Sequence, residues 1–403
     1  MTYHFPTYYH DFHCINKDCP DTCCGGWNIS IDPESLKRYR QILKSPGTPY
    51  LPDSFLRRFK KSIDFRHHCI HLSNGYCPLL TKNNLCGMYL HLGSNSLCKT
   101  CRTYPRHQEE FGSLREISLS LSCPEAARII LSQKTKPQMQ TRHTSKKCPA
   151  DQQVDTNLLT WLIEVRKTLL DILWNPHCPL EISVSMALAL SHRLQKSHSK
   201  GQNNQNNRFC LKTALENLKS LSQRYLIDEK TSDVLTKDFT QKLASKRVEP
   251  RSWLSSLVTL YSSLEPVVEI WPQLMKLCQT AVPAYFHTTF HDTDERIPER
   301  QLLTYFIQIY FLGAVYDNRL YDKIQFAVAS WLLIRLAAIA LAQQNSSLTP
   351  DASLNAFWIQ AAYLYSRQIE NYDQNLNCLF DVFHTDKTFN LISLLSFVTY
   401  VIR

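Results

Sequence analysis

The chain is poor in glycine, and this scarcity argues against one common class of fold. Its 403 residues include 9 glycines, and only Gly201 and Gly313 lie beyond Gly112. A doubly wound α/β domain binds its cofactor at a glycine-rich turn, G-x-G-x-x-G, after the first strand. The chain has no such turn. We therefore predict that it is not a Rossmann-type protein.

The chain also lacks the features of a secreted or membrane-spanning protein. Its first six residues show no basic stretch followed by an apolar core, so we expect no secretory signal. The longest apolar run, 324–342, is interrupted by Gln325, Ser330 and Arg335. Because a charge in the middle of a span is costly, we predict a buried helix there and no membrane span. We predict a cytoplasmic location, where thiols stay reduced.

Basic residues outnumber acidic ones, giving a formal net charge of +10. Part of the excess lies between Lys99 and Lys147. Such a surface could attract an acidic protein, a nucleic acid or an anionic cofactor. The sequence has no RNP, zinc-finger or basic-zipper pattern, so we predict no nucleic-acid binding.

What the chain has in abundance is cysteine near its N-terminus. Ten of its 15 cysteines lie between Cys14 and Cys123. The first block reads CINKDCPDTCCGGW, and the second consists of CPLLTKNNLCGMY followed by LCKTCRTYPR. Thiols at this density in a reducing compartment usually hold a metal ion or a cluster.

The spacing of these cysteines does not identify the metal. Zinc takes four Cys or His ligands, and His67, His68 and His71 lie beside Cys69. The spacings match neither the common zinc finger nor the bacterial ferredoxin run. The sequence therefore predicts a metal or cluster site and leaves zinc and iron open.

The rest of the chain has the apolar periodicity of helices. From Leu158 onward, apolar residues recur at three- and four-residue intervals. We predict a mainly α fold, with a cysteine-rich, cluster-binding domain containing little sheet at 1–130. A linker at 131–155 and an all-α domain at 156–403 would follow. Asn and Gln dominate 197–208, where we predict a flexible loop.

Three segments together resemble the flagellin lysine N-methylase family: DTCCGGWNISID, CPLLTKNNLCGMY and LCKTCRTYPR. The resemblance implies an enzyme that transfers methyl groups from S-adenosylmethionine to lysine side chains of flagellin. It also implies an iron–sulfur cluster, 4Fe-4S in type, with zinc as the alternative. The ligand candidates it implies are Cys19, Cys23, Cys24, Cys77, Cys86, Cys98 and Cys101, with Cys14 as a further candidate. Since one cluster needs four, at least three of the first seven would be supporting residues.

Without a glycine-rich turn, S-adenosylmethionine would bind at the cluster or in an aromatic pocket, where a sulfonium can sit over a ring face. The segment 285–321 is rich in aromatics. We predict Tyr305 and Tyr310 as cofactor-binding residues. We predict Tyr316 and Asp317 as catalytic, because either group could accept the proton of a lysine nucleophile. Aromatics at helical spacing more often belong to a core than to a functional site.

Two other functions remain compatible with the sequence. The chain could be a non-catalytic zinc- or iron-binding scaffold whose helices bind a protein partner. It could also be a redox module that uses a cluster without S-adenosylmethionine.

Overall fold

The computed structural model describes residues 1–26, 29–44, 51–145, 154–202, 210–223, 248–287, 296–344 and 350–400. Within these ranges the chain is mostly helical, with small sheets in its cysteine-rich N-terminal part. The mainly α fold class is confirmed at this level. The described strands form two sheets of four and three strands, rather than a doubly wound parallel sheet.

The strands are short. They are β1 (Thr2–Pro6), β2 (Ile29–Ser30), β3 (Ile63–Asp64), β4 (Cys69–Ile70), β5 (Arg106–Phe111), β6 (Leu114–Leu119) and β7 (Met139–His143).

Five helices accompany these strands: α1 (Pro33–Lys44), α2 (Asp53–Ser62), α3 (Gly87–Leu92), α4 (Lys99–Thr103) and α5 (Pro124–Leu131). The helices that follow are α6 (Thr156–Leu173), α7 (Leu180–Gln202), α8 (Leu211–Ser222), α9 (Pro250–Ser262), α10 (Trp271–Tyr285), α11 (Ile297–Tyr310), α12 (Ala314–Asp317), α13 (Leu320–Gln344), α14 (Pro350–Ile369), α15 (Asp373–Thr385) and α16 (Leu391–Tyr400).

The larger sheet has the strand order β5-β6-β1-β7. Its first strand is parallel to β6, with Thr2 opposite Leu114, and antiparallel to β7, with Thr2 opposite His143. Phe111 and Leu119 of this sheet are buried in the same core as α6 to α16. The sheet therefore belongs to the helical body, a name we use for α5 to α16 together with this sheet.

The centre of the helical body is α13. Its apolar stretch has the length and hydropathy of a membrane span, but all of that stretch is packed inside the protein. Arg335, which interrupts the stretch, lies 3.5 Å from Glu299 and 4.9 Å from the centre of the Tyr285 ring. The predicted buried helix is confirmed, because the charge in it has partners.

A second, smaller core lies in residues 14–101, which we call the cysteine unit. Tyr39, Phe55 and Phe59 are fully buried there. The ring centre of Phe59 lies 5.3 Å from that of Tyr39 and 5.8 Å from that of Phe55. The three-stranded sheet β2-β4-β3 lies in this unit. The apolar residues of the unit thus pack in a core separate from that of the helical body.

Two boundaries differ from those predicted. The predicted linker 131–155 contains β7, which pairs with β1 along its whole length, so that part of the prediction is wrong. Residues 197–202 of the predicted flexible loop are the end of α7, and residues 203–208 lie outside the described residues. The polar composition of both segments gave no sign of this strand or this helix end, because exposed strands and helix ends tolerate polar side chains.

Candidate metal centre and adjoining carboxylate site

Four cysteine sulfurs meet in the cysteine unit. The Cys24 sulfur lies within hydrogen-bonding reach of those of Cys23, Cys77 and Cys86. The described cysteines are all free of disulfide bonds. Sulfurs from residues more than fifty positions apart therefore converge on one point.

Backbone contacts bring these segments together. The amide of Cys77 donates to the carbonyl of Cys24 at 2.6 Å, and that of Gly87 donates to the carbonyl of Leu79 at 2.9 Å. A Cβ on Gly87 would lie 2.5 Å from that same carbonyl oxygen. The residue after Cys86 must therefore be glycine for the loop from Cys77 to close.

Cys98 and Cys101 form a second pair beside the first group. Cys98 directly precedes α4 and Cys101 lies in its first turn, so their sulfurs come within hydrogen-bonding reach. The pKa of Cys101 also responds to charge on Cys86 and Cys23, which places the two groups side by side. Asp32 fixes this turn by accepting from the amide of Lys99 at 2.7 Å.

The crowded thiols have unequal acidities. Hydrogen bonding from Cys24 lowers the pKa of Cys86 to about 6, and hydrogen bonding from Cys101 lowers that of Cys98 to about 7. The same contacts raise the pKa of Cys24 and of Cys101, because two adjacent thiolates repel each other. A bound metal would take the place of the retained protons.

Of the seven predicted ligands, these six lie together and Cys19 lies to one side. Burial raises the pKa of the half-buried Cys19, the charge of Cys14 raises it further, and the charge of Cys19 in turn raises the pKa of Cys123. The pKa of Cys69 responds instead to Asp64, outside the sulfur group. A set of six thiols exceeds the four that either a 4Fe-4S cluster or a zinc ion requires, so the donor set fits both.

A cleft of about 330 Å³ opens beside Cys86. It leads from the surface to the sulfur group and is lined by Ile15, Asn16, Lys17, Asp18, Leu85, Cys86, Tyr89 and Leu90. Tyr89 and Leu90 are about half exposed. One edge of the sulfur group can therefore be reached by a small molecule.

A smaller mixed group lies on the hairpin of β3 and β4. Donor atoms of Asp64, Cys69 and His71 lie within 4.8 Å of one another. The carboxylate of Asp64 also contacts His67 at 2.6 Å and His71 at 2.9 Å. Of the three histidines considered as ligands, His67 and His71 thus gather around an acid rather than at the main sulfur group.

Arg367 of α14 connects the helical body to the cysteine unit. Its guanidinium donates to the Asp21 carboxylate at 2.6 Å and to the Ser122 carbonyl at 2.9 Å. Its charge lowers the pKa of Cys19 and of Cys23, although other effects on these thiols are larger. A buried cation from the helical body therefore lies close to the cysteines.

One helical turn later, Glu370 forms a carboxylate site. Its Oε1 accepts hydrogen bonds from the hydroxyls of Tyr305 at 3.0 Å and Tyr310 at 2.9 Å. Burial raises the pKa of this carboxyl, and His107 is close enough to oppose that effect. His107 lies six residues after Cys101, and Arg367 lies three residues before Glu370. Two stretches of the chain therefore run between the sulfur group and Glu370.

The predicted functional tyrosines and aspartate divide between two places. Tyr305 and Tyr310 meet at Glu370, and their predicted cofactor binding stays a prediction. Tyr316 is exposed and donates to the Glu110 carbonyl at 2.5 Å, while Asp317 is exposed and bound to Lys323 at 2.7 Å. These are contacts of a helix end, and the predicted catalytic role of the pair is left without structural support. Residues 288–295 of the aromatic segment lie outside the described residues.

Most of the helical body matches a known protein family. Residues 166–397 match the family model of the FliB lysine N-methylase C-terminal domain. The chain belongs to the FliB lysine N-methylase family. The matched segment contains Tyr305, Tyr310, Arg367 and Glu370, whereas the sulfur group precedes it.

Individual relatives are more distant. The chain is 31% identical over 157 residues to lysine-N-methylases of Salmonella choleraesuis and Salmonella typhimurium, which covers 37% of this chain and 39% of each relative. It is 29% identical over 127 residues to the flagellar biosynthetic protein FliU of Salmonella muenchen, covering 32% of this chain and 75% of that protein. The alignments thus span well under half of the two lysine-N-methylases. No solved structure matches the chain significantly.

Sequence reasoning missed Arg367 and Glu370. Nothing in the letters around them, YSRQIENYD, marks a site. The available signal was weak: two charged residues three positions apart at the end of an otherwise apolar helix. In this chain, Arg367 connects the matched helical domain to the cysteine unit through Asp21.

Proposed function

We propose that this FliB family member is a protein-lysine N-methyltransferase that transfers methyl groups from S-adenosylmethionine to flagellin lysines in the cytoplasm. Family membership supports lysine methylation, because homology to lysine-N-methylases implies a methyltransferase. The flagellar name of one relative supports flagellin as the protein substrate.

We further propose that the sulfur group carries a 4Fe-4S cluster. The observation that carries this proposal is the convergence of six cysteine sulfurs, none in a disulfide bond, beside a helical domain of the methylase family. Four of Cys23, Cys24, Cys77, Cys86, Cys98 and Cys101 would hold the cluster. When bound, such a cluster would supply an iron centre at which a small molecule can bind or exchange an electron.

The chain's own residues would perform the remaining work. The cleft beside Cys86 would admit a small molecule to the edge of the sulfur group. Arg367 would hold the cysteine loop against α14 through Asp21. Neutralisation of the substrate lysine requires a proton acceptor in a partly desolvated place.

The deciding experiment uses protein prepared without oxygen. Incubation with flagellin and S-adenosylmethionine should add methyl-sized mass steps to lysine-containing peptides, and metal analysis should find iron. An iron-loaded protein that binds S-adenosylmethionine but leaves flagellin unchanged would overturn the proposed methylation. Colourless, zinc-loaded and inactive protein would instead favour the scaffold function.

A further inference from the structure

One oxygen of the Glu370 carboxylate lacks a well-formed hydrogen bond. While Oε1 of Glu370 accepts from two tyrosines, Oε2 is buried and has no hydrogen bond of good geometry among the described residues. The Ser366 hydroxyl, one turn earlier, is near enough to favour the charged carboxylate but does not meet that geometry. A buried acceptor that lacks a well-formed partner is costly unless a ligand supplies one.

An aromatic wall lies beside this carboxylate. The Tyr310 ring packs against Phe326 at 5.0 Å and Phe380 at 6.1 Å between centres. Both Tyr310 and Phe380 are half-buried, so the wall is open at one side. Lys323, whose ammonium contacts Asp317 at 2.7 Å, also lies 4.0 Å from the Phe380 ring centre, so a cation already packs against one face of this wall.

The charges around the site suit an amine that must lose a proton. Burial raises the pKa of Glu370, which makes it a better proton acceptor than an ordinary surface carboxylate. The titratable groups that interact with it are Tyr305, Tyr310, Tyr365 and His107. Burial lowers the pKa of His107, but its 2.6 Å contact with Glu109 and the charge of Glu370 raise it overall.

We propose that Glu370, with Tyr305 and Tyr310, binds the side-chain amine of the substrate lysine and accepts its proton. This inference rests on the proposed lysine methylation. The ammonium gives one proton to the Glu370 carboxylate and becomes a neutral amine. The nitrogen lone pair then forms the bond to the methyl carbon, and the carbon–sulfur bond of S-adenosylmethionine breaks with its electron pair going to sulfur.

Tyr305 and Tyr310 act here as positioning residues. Their two hydroxyls hold Oε1 and leave Oε2 without a well-formed hydrogen bond among the described residues. The alternative is a network that only locks α11 against the end of α14. That alternative predicts a loss of stability on substitution and no selectivity for an amine.

Binding without a methyl donor tests the site separately from methylation. The probes are a lysine-containing flagellin peptide and the same peptide with norleucine in place of lysine, which removes the amine and keeps the aliphatic stem. Wild-type protein should bind the lysine peptide at least about tenfold more tightly, because a partly buried ion pair is lost with norleucine. The Glu370→Gln variant should bind the two peptides within about threefold of each other. Equal binding by the wild type, or full selectivity in the variant, overturns the proposal.

Turnover provides the second readout. Glu370→Gln should lower the methylation rate by about 10²-fold or more, as expected for loss of a general base, and should remove the acidic limb of the pH–rate profile. Tyr310→Phe should lower it less and tests the site if the glutamine variant does not fold. The matched controls are Asp322→Asn, which changes another buried carboxylate, bound to His384 at 2.8 Å, and Tyr261→Phe, which removes a buried hydroxyl bound to Tyr365.

The two proposals fail differently. Amine-selective binding without methylation of flagellin would retain the amine site and reject the methylase function. Methylation that persists at the wild-type rate in folded Glu370→Gln would retain the function and reject the site.

Discussion

The cysteine unit and the helical body are stabilised by different means. The helical body buries a large apolar core around α13, whereas the cysteine unit has a small core next to a group of mutually repelling thiols. A small core contributes little stability, and small domains commonly need metals or other cross-links. The comparison indicates that the stability of the cysteine unit depends on what its sulfurs bind, while that of the helical body comes from apolar packing.

The largest expected effect comes from removing the central sulfur. Cys24→Ser should lose most of the bound metal and expose residues 14–101 to proteolysis, because metal binding and folding are coupled. The helical circular-dichroism signal should largely remain, since the helical body has its own core. Metal content per chain and the mass of protease-resistant fragments measure the two halves of this prediction.

Cys69→Ser is the matched control within the same unit. Its sulfur lies beside Asp64 and outside the sulfur group, so metal content should stay near that of the wild type. Full metal content in Cys24→Ser, combined with loss in Cys69→Ser, would move the principal site to the β3–β4 hairpin and contradict our assignment.

The next effect tests the helical body through its buried ion pair. Arg166 of α6 contacts Glu116 of β6 through two hydrogen bonds of 2.6 Å, with both side chains at most 10% exposed. Arg166→Met should cost about 3 kcal/mol in the free energy of unfolding, because the buried Glu116 loses both hydrogen bonds of its main partner and keeps only His4, 3.6 Å away. Denaturant unfolding measures this. The exposed pair Arg319–Asp381, 3.6 Å apart, is the control, and Arg319→Met should cost less than about 1 kcal/mol.

The same pair predicts an acid dependence of stability. Burial opposes ionisation of Glu116, but Arg166 outweighs it and lowers the pKa of Glu116 from 4.5 to about 2. A lowered folded-state pKa contributes stability above pH 4.5 that is lost as pH falls towards 2, about 3 kcal/mol in all at 1.36 kcal/mol per pKa unit. Glu116→Gln should flatten this part of the stability curve. An unchanged curve in the variant would show that other groups cause the acid loss.

A smaller effect concerns the contact between the two regions. Arg367→Met removes donors from Asp21 and from the Ser122 carbonyl, which should cost about 2 kcal/mol for a partly buried charged contact. Asp21→Asn, which keeps an acceptor, should cost less. Denaturant unfolding gives the size of both effects. If the two regions were independent, protease sensitivity of residues 14–101 would not change in Arg367→Met.

The smallest effects are expected at the exposed end of α12. Tyr316→Phe and Asp317→Asn should each change the free energy of unfolding by less than about 1 kcal/mol, because both side chains are exposed and the asparagine keeps an oxygen that can accept from Lys323. Methylation assays on the same variants decide the catalytic role predicted from sequence. A hundredfold fall in rate without a change in stability would restore that role.

The sequence predicted what depends on local order. Apolar periodicity predicted a helical second part, and the structure has helices there. Alternating polarity did not identify β7, because all five of its residues are exposed. The density of cysteines indicated a metal site, but spacing could not separate Cys19 from the six sulfurs that meet.

What the sequence determined by itself is therefore the type of each region: thiol-rich at the start, helical and apolar after Leu158. Only the tertiary structure decided that Cys24 lies among three other sulfurs and that Glu370 lies at the hydroxyls of Tyr305 and Tyr310. Local patterns set which face of one element is apolar, because they repeat every 3.6 or 2 residues. The meeting of residues 60 or more positions apart depends on how whole elements pack, and a single sequence carries no local mark of that.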